Sequence, residues 1–457
     1  MTGPGVRSRE ETEAARLIAR IEAVPFCRWH ARPRIVMGSA TFFDAFNSLS
    51  LAFALPILIR LWHISPREIG ILIAAGYVGQ LAGALLFSSL AEKYGRVRSA
   101  AAAVAILSVM TLACAVAGNF TLLLVYRLVQ GIGVGGEMPV AAAYISELSR
   151  ARGRGRFFLL YEMIFPVGLM ATGQVGAWLV PAFGWNSIFW IGSIPCLIIT
   201  VLVARLPESP RWLISRGRLA EAEAIIGRME AAAGRKDFPP EPEASGSSAA
   251  VLQPTRWAEL LSGFYRKRTL IIWVLWASAF FVANGLNNWM PSLYNTVYHL
   301  GLRESLRAAS LTNVAQVIIL LVCAFTIDRI GRRAWTAAAF VAGGACLAIL
   351  ALVAAHSVLS LLVLGTLSYG IIGSANAVLY LYTPEVYPTR MRAIGTGLAT
   401  SWLRIGSAVG PALVGLLLAS RGIDSVFLMF TGVAALGALA ACGMVETRGQ
   451  RLEELAP

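Results

Sequence analysis

Twelve stretches of this chain are long and apolar enough to cross a bilayer as helices, and that restricts the fold more than any other feature. They lie at residues 35–58, 70–90, 99–118, 121–145, 157–181, 186–205, 269–293, 307–327, 335–356, 359–382, 394–419 and 424–445. A helix rises 1.5 Å per residue, so about 20 residues cover a hydrocarbon core of roughly 30 Å. Lipid offers the backbone no hydrogen-bond partners, so each apolar stretch must satisfy its own as continuous helix. The stretch 121–145 is rich in Gly, but small residues in lipid let helices approach closely. Charged residues make up 14% of the 457 and hydrophobic ones 57%, whereas a soluble domain carries about 25% charge.

The net charge of +14 suggests a nucleic-acid partner until its distribution is considered. With both termini on one side, Arg60, Arg67, Arg303, Arg307 and Arg421 fall on the opposite side, and Arg127, Arg205 and Arg404 fall within or at the edge of spans. The rest of the 39 Lys and Arg gather on the side of the termini. That bias makes this side cytoplasmic and excludes a nucleic-acid role. Cys27, Cys114, Cys196, Cys323, Cys346 and Cys442 are scattered and form no C-x-x-C pair, so they read as packing residues, with no disulfide or metal implied.

The spans divide the chain into a polar tail (1–33), a first six-span lobe (34–206), a central loop (207–268), a second lobe (269–445) and a short tail (446–457). The first tail does not read as a cleavable signal peptide. Its residues 12–23 suit either a short amphipathic helix on the cytoplasmic face or a solvated tail. The central loop holds a helical pattern at 219–233 and a Pro/Ser/Gly-rich, flexible stretch at 237–250.

The two lobes are copies of one another. Glu92-Lys-Tyr-Gly-Arg-Val-Arg follows the second span of the first, and Asp328-Arg-Ile-Gly-Arg-Arg-Ala the second span of the other. Glu147-Leu-Ser-Arg-Ala-Arg-Gly-Arg is matched in the same way by Glu385-Val-Tyr-Pro-Thr-Arg-Met-Arg. The two offsets are 236 and 238 residues. Acid and Arg residues here can hold neighbouring helices together at the cytoplasmic edge and then release them. The candidates for such a gate are Glu92, Arg96, Glu147, Arg154, Asp328, Arg332, Glu385 and Arg392. Single surface pairs contribute only about 0–1 kcal/mol, but a network between lobes could bias two states.

Function is expected where the duplication fails. At the offset of 238, Phe42-Phe43 falls on Phe280-Phe281, whereas Asp44 falls on Val282, Arg127 on Gly365, Glu137 on Ala375 and Arg404 on Pro166. Four intramembrane charges are thus private to one lobe. Each costs at least about 2.5–3.5 kcal/mol on insertion scales and needs a partner, water or a function. Asp44 lies about 15 Å deep from the cytoplasmic side and Arg127 about 9 Å from the other, which permits an Asp44–Arg127 contact, direct or through water. No span interior contains His, so a proton carrier would have to be a carboxyl group. Asp44 reads as that carrier or as half of a static ion pair, and Glu137 as a second proton site or a helix-breaking polar contact. Glu162 reads as structural. Arg404, near mid-membrane, suits a substrate carboxylate in bidentate geometry or an acid of the protein. Asn284, Asn287, Asn288, Trp289, Tyr294, Asn376 and Tyr380, with Gln174, Tyr161 and Tyr382, would suit a flat ring with a polar substituent. The aromatic ones also fit an interfacial belt.

These residues resemble the major facilitator superfamily over nearly the whole chain. The loop signatures, Arg127-Leu-Val-Gln-Gly-Ile-Gly, Pro207-Glu-Ser-Pro-Arg-Trp and Glu446-Thr-Arg-Gly carry the likeness. Pro207-Glu-Ser-Pro-Arg points to the branch of sugar porters, organic ion transporters and bacterial metabolite–proton symporters. Phe42-Phe-Asp-Ala-Phe, Gly135-Gly-Glu-Met-Pro and Arg404-Ile-Gly-Ser-Ala-Val-Gly-Pro look most like the niacin and aromatic-acid symporters, which are similar to synaptic vesicle glycoprotein 2. Gly285-Leu-Asn287 is similar to the Gly-x-Asn of sugar porters. Ser88 and Ala324 depart from the Gly that normally opens the loop signature, Glu92 from its usual Asp, and Asn47 from a second acid in span 1.

The resemblance implies an all-α membrane protein of twelve transmembrane helices in two pseudo-symmetric six-helix lobes. It implies a proton-coupling pair at Asp44 and Arg127, an anion-binding Arg404, and an intracellular latch at the loop signatures. The expected function is proton-coupled uptake of a small organic anion, an aromatic carboxylate such as nicotinate or a benzoate-type acid, by alternating access. The expected partners are that small molecule, protons and the lipid bilayer of a bacterial inner membrane. The chain is expected to act as a monomer without a cofactor. No Walker motif, catalytic triad or metal cluster suggests an enzyme. A sugar or polyol:proton symporter is the alternative within the class, and a non-transporting membrane receptor or sensor the alternative outside it.

Overall fold

The computed structural model describes residues 4–25, 27–148, 163–234, 257–354, 357–387 and 391–448. The first lobe comprises α2 (Arg28–Trp62), α3 (Pro66–Tyr94), α4 (Arg96–Ala115), α5 (Phe120–Glu147), α6 (Ile164–Phe183) and α7 (Asn186–Ala204). It is preceded by α1 (Pro4–Ala23) and followed by two short helices, α8 (Pro210–Ser215) and α9 (Leu219–Ala232). The second lobe comprises α10 (Gly263–Thr296), α11 (Leu302–Ile330), α12 (Arg332–Ile349), α13 (Val358–Glu385), α14 (Arg392–Arg421) and α15 (Ile423–Cys442). Eleven of the described helices are long and apolar enough to cross a membrane. The twelfth span, α5, packs between α3 and α4.

Alpha-helix α5 stays helical despite its glycines because they fit against α3. A Cβ at Gly131 would lie 2.1 Å from the Gly76 carbonyl oxygen, and one at Gly135 would lie 2.0 Å from that of Gln80. The tight turns between α3 and α4 and between α11 and α12 are made by Gly95 (φ +106°) and Gly331 (φ +98°), the glycines of the repeated signature. Only Gly adopts that backbone without strain.

Each turn is sealed by a carboxylate. Glu208 accepts from the amides of Arg96 (2.9 Å) and Val97 (3.2 Å), and Glu446 from those of Arg332 (2.9 Å) and Arg333 (3.1 Å). Both therefore cap a helix N-terminus, where negative charge is stabilised. Burial alone would raise the Glu446 carboxyl, but the amides of Arg332, Arg448, Arg333 and Thr447 outweigh it and hold it below the usual carboxylate range.

Helix α1 is ordered and docked. Leu17 and Ile21 pack on Trp212, Ile225, Ile226 and Met229 of α8 and α9. Arg20 bridges Glu230 (2.7 Å) and Glu223 (3.0 Å), and Arg211 pairs with Glu22. The amphipathic alternative for residues 12–23 is the one realised, and α1 covers the central helices.

Helix α1, the repeated signatures, α8–α9 and residues 446–448 share one basic face. At the opposite, far face the lobes close on each other. Helices α3 and α14, α2 and α10, and α6 and α11 are in contact. A Cβ at Gly415 would lie 2.3 Å from the Pro66 carbonyl oxygen, and Arg60 Nη2 donates to Asn295 Oδ1 at 3.0 Å. This packing predicts that Gly415→Val pries the far face apart. Overpacking costs about 1–3 kcal/mol, so cross-linking of Cys residues placed at 60 and 295 by a short bifunctional thiol reagent should fall about tenfold. Unchanged cross-linking would mean that the closed far face does not depend on this contact.

Candidate functional site

Between the lobes lies a cavity of about 440 Å³, the size of a small-molecule site. It extends toward the basic face as far as Met163, Ala324, Ile327 and Leu381. Both lobes line it. The first contributes Asp44, Tyr77 and Gln80, and the second Phe280, Asn284, Asn287, Asn288, Gln316, Asn376, Tyr380 and Arg404. One wall is aromatic. Trp276 stacks on Phe280 (5.6 Å, 5°), meets Tyr380 edge-on (4.6 Å, 82°) and is fixed by its Nε1 donating to Thr383 at 2.9 Å. Among the described residues, no group of His, Cys, Asp or Glu is placed to hold a metal ion.

Arg404 is 7% exposed. Its Nη1 donates to the Thr400 carbonyl (3.0 Å) and its Nη2 reaches the Gly135 carbonyl of the other lobe (3.5 Å). Its Nε has no partner among the described residues, and no carboxylate there lies within ion-pair distance. Asp44 and Tyr380 are within electrostatic reach of the guanidinium. Asp44, 1% exposed, also feels Glu137, and its Oδ1 has no hydrogen-bond partner among the described residues. Glu137 accepts from Thr41 Oγ1 at 2.9 Å, and α5 runs through it unbroken, so it is not a helix breaker.

Asp44 and Arg127 make no direct contact in this structure. Arg127 Nη1 donates to the Asn47 carbonyl (3.2 Å) and to Gln130 Oε1 (2.6 Å), and Gln130 donates onward to Thr111 (2.6 Å). Asn47 is three residues beyond Asp44 on α2, about 4.5 Å along the axis. Arg127 therefore meets the right helix one turn too far toward the far face, in a slot beside Gly76. The cation that shares the mid-membrane level with Asp44 comes from the other lobe.

Four further expected contacts are not made at the cavity. Tyr294 shares a face with Asn287 but lies about 10 Å further along α10, buried outside the cavity against Tyr298. Trp289 donates to the Pro411 carbonyl (3.1 Å) and forms part of the contact with α14. Gln174 Nε2 reaches the Ser310 carbonyl (3.5 Å) in the far-face closure. Tyr382 is engaged near the basic face by the Val445 amide (3.1 Å). Tyr161 and Glu162 lie outside the described residues. The sequence reading passed over Tyr77, Gln80 and Gln316. The signal was available, since Gln80 and Gln316 are amides inside otherwise apolar spans and could have been weighed as the charges were.

At the basic face the signature charges pair within lobes, not between them. Arg96 pairs with Glu147 (3.0 Å), while Arg332 pairs with Glu385 (3.4 Å) and Asp328 (2.9 Å). Ser209 Oγ and Thr447 Oγ1 donate to the two glutamates, Thr447 to Glu385 at 2.6 Å. The Glu92 carboxyl makes no ion pair among the described residues, but its backbone carbonyl accepts from Trp212 Nε1 (2.8 Å). Arg154 and the side chain of Arg392 lie outside them. A network joining the lobes is absent among the described residues because the cavity separates the lobes on this side.

A family described as "Sugar (and other) transporter" matches residues 35–457. The chain belongs to that major facilitator family. The transporter is 34% identical over 448 residues to the niacin transporter NiaP of Acinetobacter baylyi, covering 96% of this chain and 99% of NiaP. It is 27% identical to the 4-hydroxybenzoate transporter PcaK of the same organism, over 93% of this chain and 92% of PcaK. Its fold superposes on the E. coli xylose transporter XylE in a partially occluded inward-open conformation. The TM-score is 0.72 at 18% identity, covering 93% and 99% of the two chains. The transporter is therefore a multi-pass membrane protein that carries solutes rather than an enzyme.

Proposed function

We propose that the protein takes up a small organic anion, an aromatic carboxylate such as nicotinate or a benzoate-type acid, together with protons, by alternating access. The observation that carries this reading is Arg404, a buried guanidinium on the cavity wall with no carboxylate within ion-pair distance among the described residues. A buried charge is costly until paired. A carboxylate in the cavity would pair it, while a sugar or polyol would leave it unpaired. The Phe280 and Tyr380 rings on the cavity wall, backed by Trp276, suit a flat ring, and the names of NiaP and PcaK point to the same ligand class.

Proton coupling follows from the charge count. Asp44 is within electrostatic reach of both Glu137 and Arg404, so a carboxylate bound at Arg404 would add a third acid to this cluster. Low dielectric makes that excess costly, and each proton taken up on Asp44 or Glu137 removes one negative charge. In this reading the basic face is cytoplasmic, both termini lie inside a bacterial inner membrane, and the cavity faces inward. The monomer is sufficient, because both lobes of one chain build the site.

The test is a thermal-shift panel on the purified protein, since a ligand of the folded state raises the midpoint. Aromatic acids should raise it, and their uncharged amides, sugars and organic cations should not. Stabilisation by sugars alone would overturn the anion reading.

A further inference from the structure

We propose that the base of α10, on the basic face, is a seat for an anionic phospholipid. The chain reaches α10 through a short 3-10 helix, Trp257–Leu261, and turns at Gly263 (φ +48°). The short helix touches the bases of α10 and α14 and is pinned by Leu260, which is fully buried. Beyond Leu260 the apolar side chains turn outward. Leu261 is 37% exposed, Phe264 56% and Leu270 44%. Phe264, Lys267 and Leu270 recur every three residues, so they share one side of α10. Leu270 lies within the apolar span, is exposed, and is not among the residues that line the cavity. That side of α10 therefore faces lipid.

Depth and charge define the ligand. The apolar span begins at residue 269, so Phe264–Arg268 lie about 1.5–7.5 Å outside its edge. The headgroup layer on each side of the hydrocarbon core is about 5–7.5 Å deep. Arg266, Lys267 and Arg268 stand in that layer, and the sequence contains no Asp or Glu from Leu260 to Leu300. Arg266 and Lys267 are exposed and form no ion pair among the described residues. The signature cations differ, since Arg96 pairs with Glu147, and Arg332 with Glu385 and Asp328. The Arg268 guanidinium lies 4.2 Å from the centre of the Phe264 ring, so a cation and an exposed apolar surface are held together. A phosphodiester accepts hydrogen bonds from Arg and Lys, and the attached acyl chains would cover Leu270. A soluble phosphate would leave the apolar side chains bare. A zwitterionic lipid carries its own cation, which offsets the attraction.

The experiment places the intact protein in nanodiscs that mix phosphatidylcholine with phosphatidylglycerol and reads by native mass spectrometry which lipid stays bound. The wild type should retain phosphatidylglycerol in preference. Each juxtamembrane cation changes association with anionic lipid about fivefold, so Arg266→Gln with Lys267→Gln should lower the preference about 30-fold. Arg98→Gln with Arg205→Gln removes two exposed cations from the first lobe and should leave the preference unchanged. All four side chains are exposed, and equal thermal midpoints in phosphatidylcholine check that the variants fold. No preference in the wild type, or an undiminished one in the Arg266/Lys267 variant, would overturn the proposal. An equal loss in both paired variants would do the same, because the whole basic face would then be attracting anionic lipid. Displacement of phosphatidylglycerol by inorganic phosphate at matched ionic strength would assign these cations to a soluble anion and overturn the lipid reading.

Discussion

Replacing Arg404 with Ala should abolish recognition of carboxylates, lowering affinity for an aromatic acid about 30- to 4000-fold. Removing one partner of a buried ion pair costs about 2–5 kcal/mol, and each 1.4 kcal/mol is tenfold. The structure makes Arg404 poorly replaceable. Its own contacts are two backbone carbonyls, one from Thr400 and one from Gly135 across the lobes, and they orient the guanidinium without neutralising it. Arg404→Lys should recover only part of the affinity, because a point charge lacks the planar fork that matches a carboxylate. Isothermal titration with an acid and its amide decides the matter. If Arg404 served only as a structural partner of Asp44, its loss would lower the unliganded midpoint and spare the preference for acid over amide. Retained affinity for the acid would remove Arg404 from the site.

The contrast between Arg404 and Arg127 shows what was legible in the sequence. Comparing the two halves isolated Asp44, Arg127, Glu137 and Arg404 correctly as unduplicated charges, because a charge in lipid is conspicuous whatever surrounds it. Which of them face each other was not legible. Depth along a helix can be counted from sequence, but a contact also depends on helix rotation and on the side chain's reach. Depth counting put Arg127 near Asp44, whereas in this structure Arg127 bonds the Asn47 carbonyl one turn away and Arg404 is within electrostatic reach of Asp44. Tyr294 was misplaced because a face was read correctly without knowing where the cavity ends, and Trp289 because helix rotation turns it onto Pro411. Cavity residues such as Gln80 and Gln316 were passed over because a neutral amide costs far less in a span than a charge. The helices themselves, and the Gly95 and Gly331 turns that mark the repeat, were fully readable because lipid leaves the backbone few alternatives.

The cross-lobe placement changes how coupling should be tested. Asp44 belongs to the first lobe and Arg404 to the second, so rocking one lobe against the other changes the distance between them. The far-face contacts hold this arrangement closed on one side, and the cavity leaves the lobes apart on the other. In the proposed uptake, a proton on Asp44 and a carboxylate on Arg404 are linked through this cross-lobe electrostatic contact. This requires no contact between Asp44 and Arg127. The Arg127–Gln130–Thr111 chain instead fixes α5 to α2 and α4 within one lobe.

Asp44→Asn is accordingly expected to abolish accumulation against a gradient while leaving exchange of substrate for substrate. Asn keeps the size of Asp but cannot carry a proton, so the charge brought in by the substrate can no longer be balanced at this position. In proteoliposomes with an imposed proton gradient, the ratio of internal to external substrate should fall to about one, the value reached by passive equilibration. Counterflow moves one anion in for one out and changes no net charge, so it should persist. Glu137→Gln separates the two carboxyls. If Asp44 is the carrier and Glu137 sets its surroundings, this variant should still accumulate substrate, with a shifted pH dependence. If Glu137→Gln is uncoupled and Asp44→Asn is not, the carrier is Glu137. Full accumulation by both variants would place proton coupling outside this charge cluster and leave Arg404 as a binding residue alone.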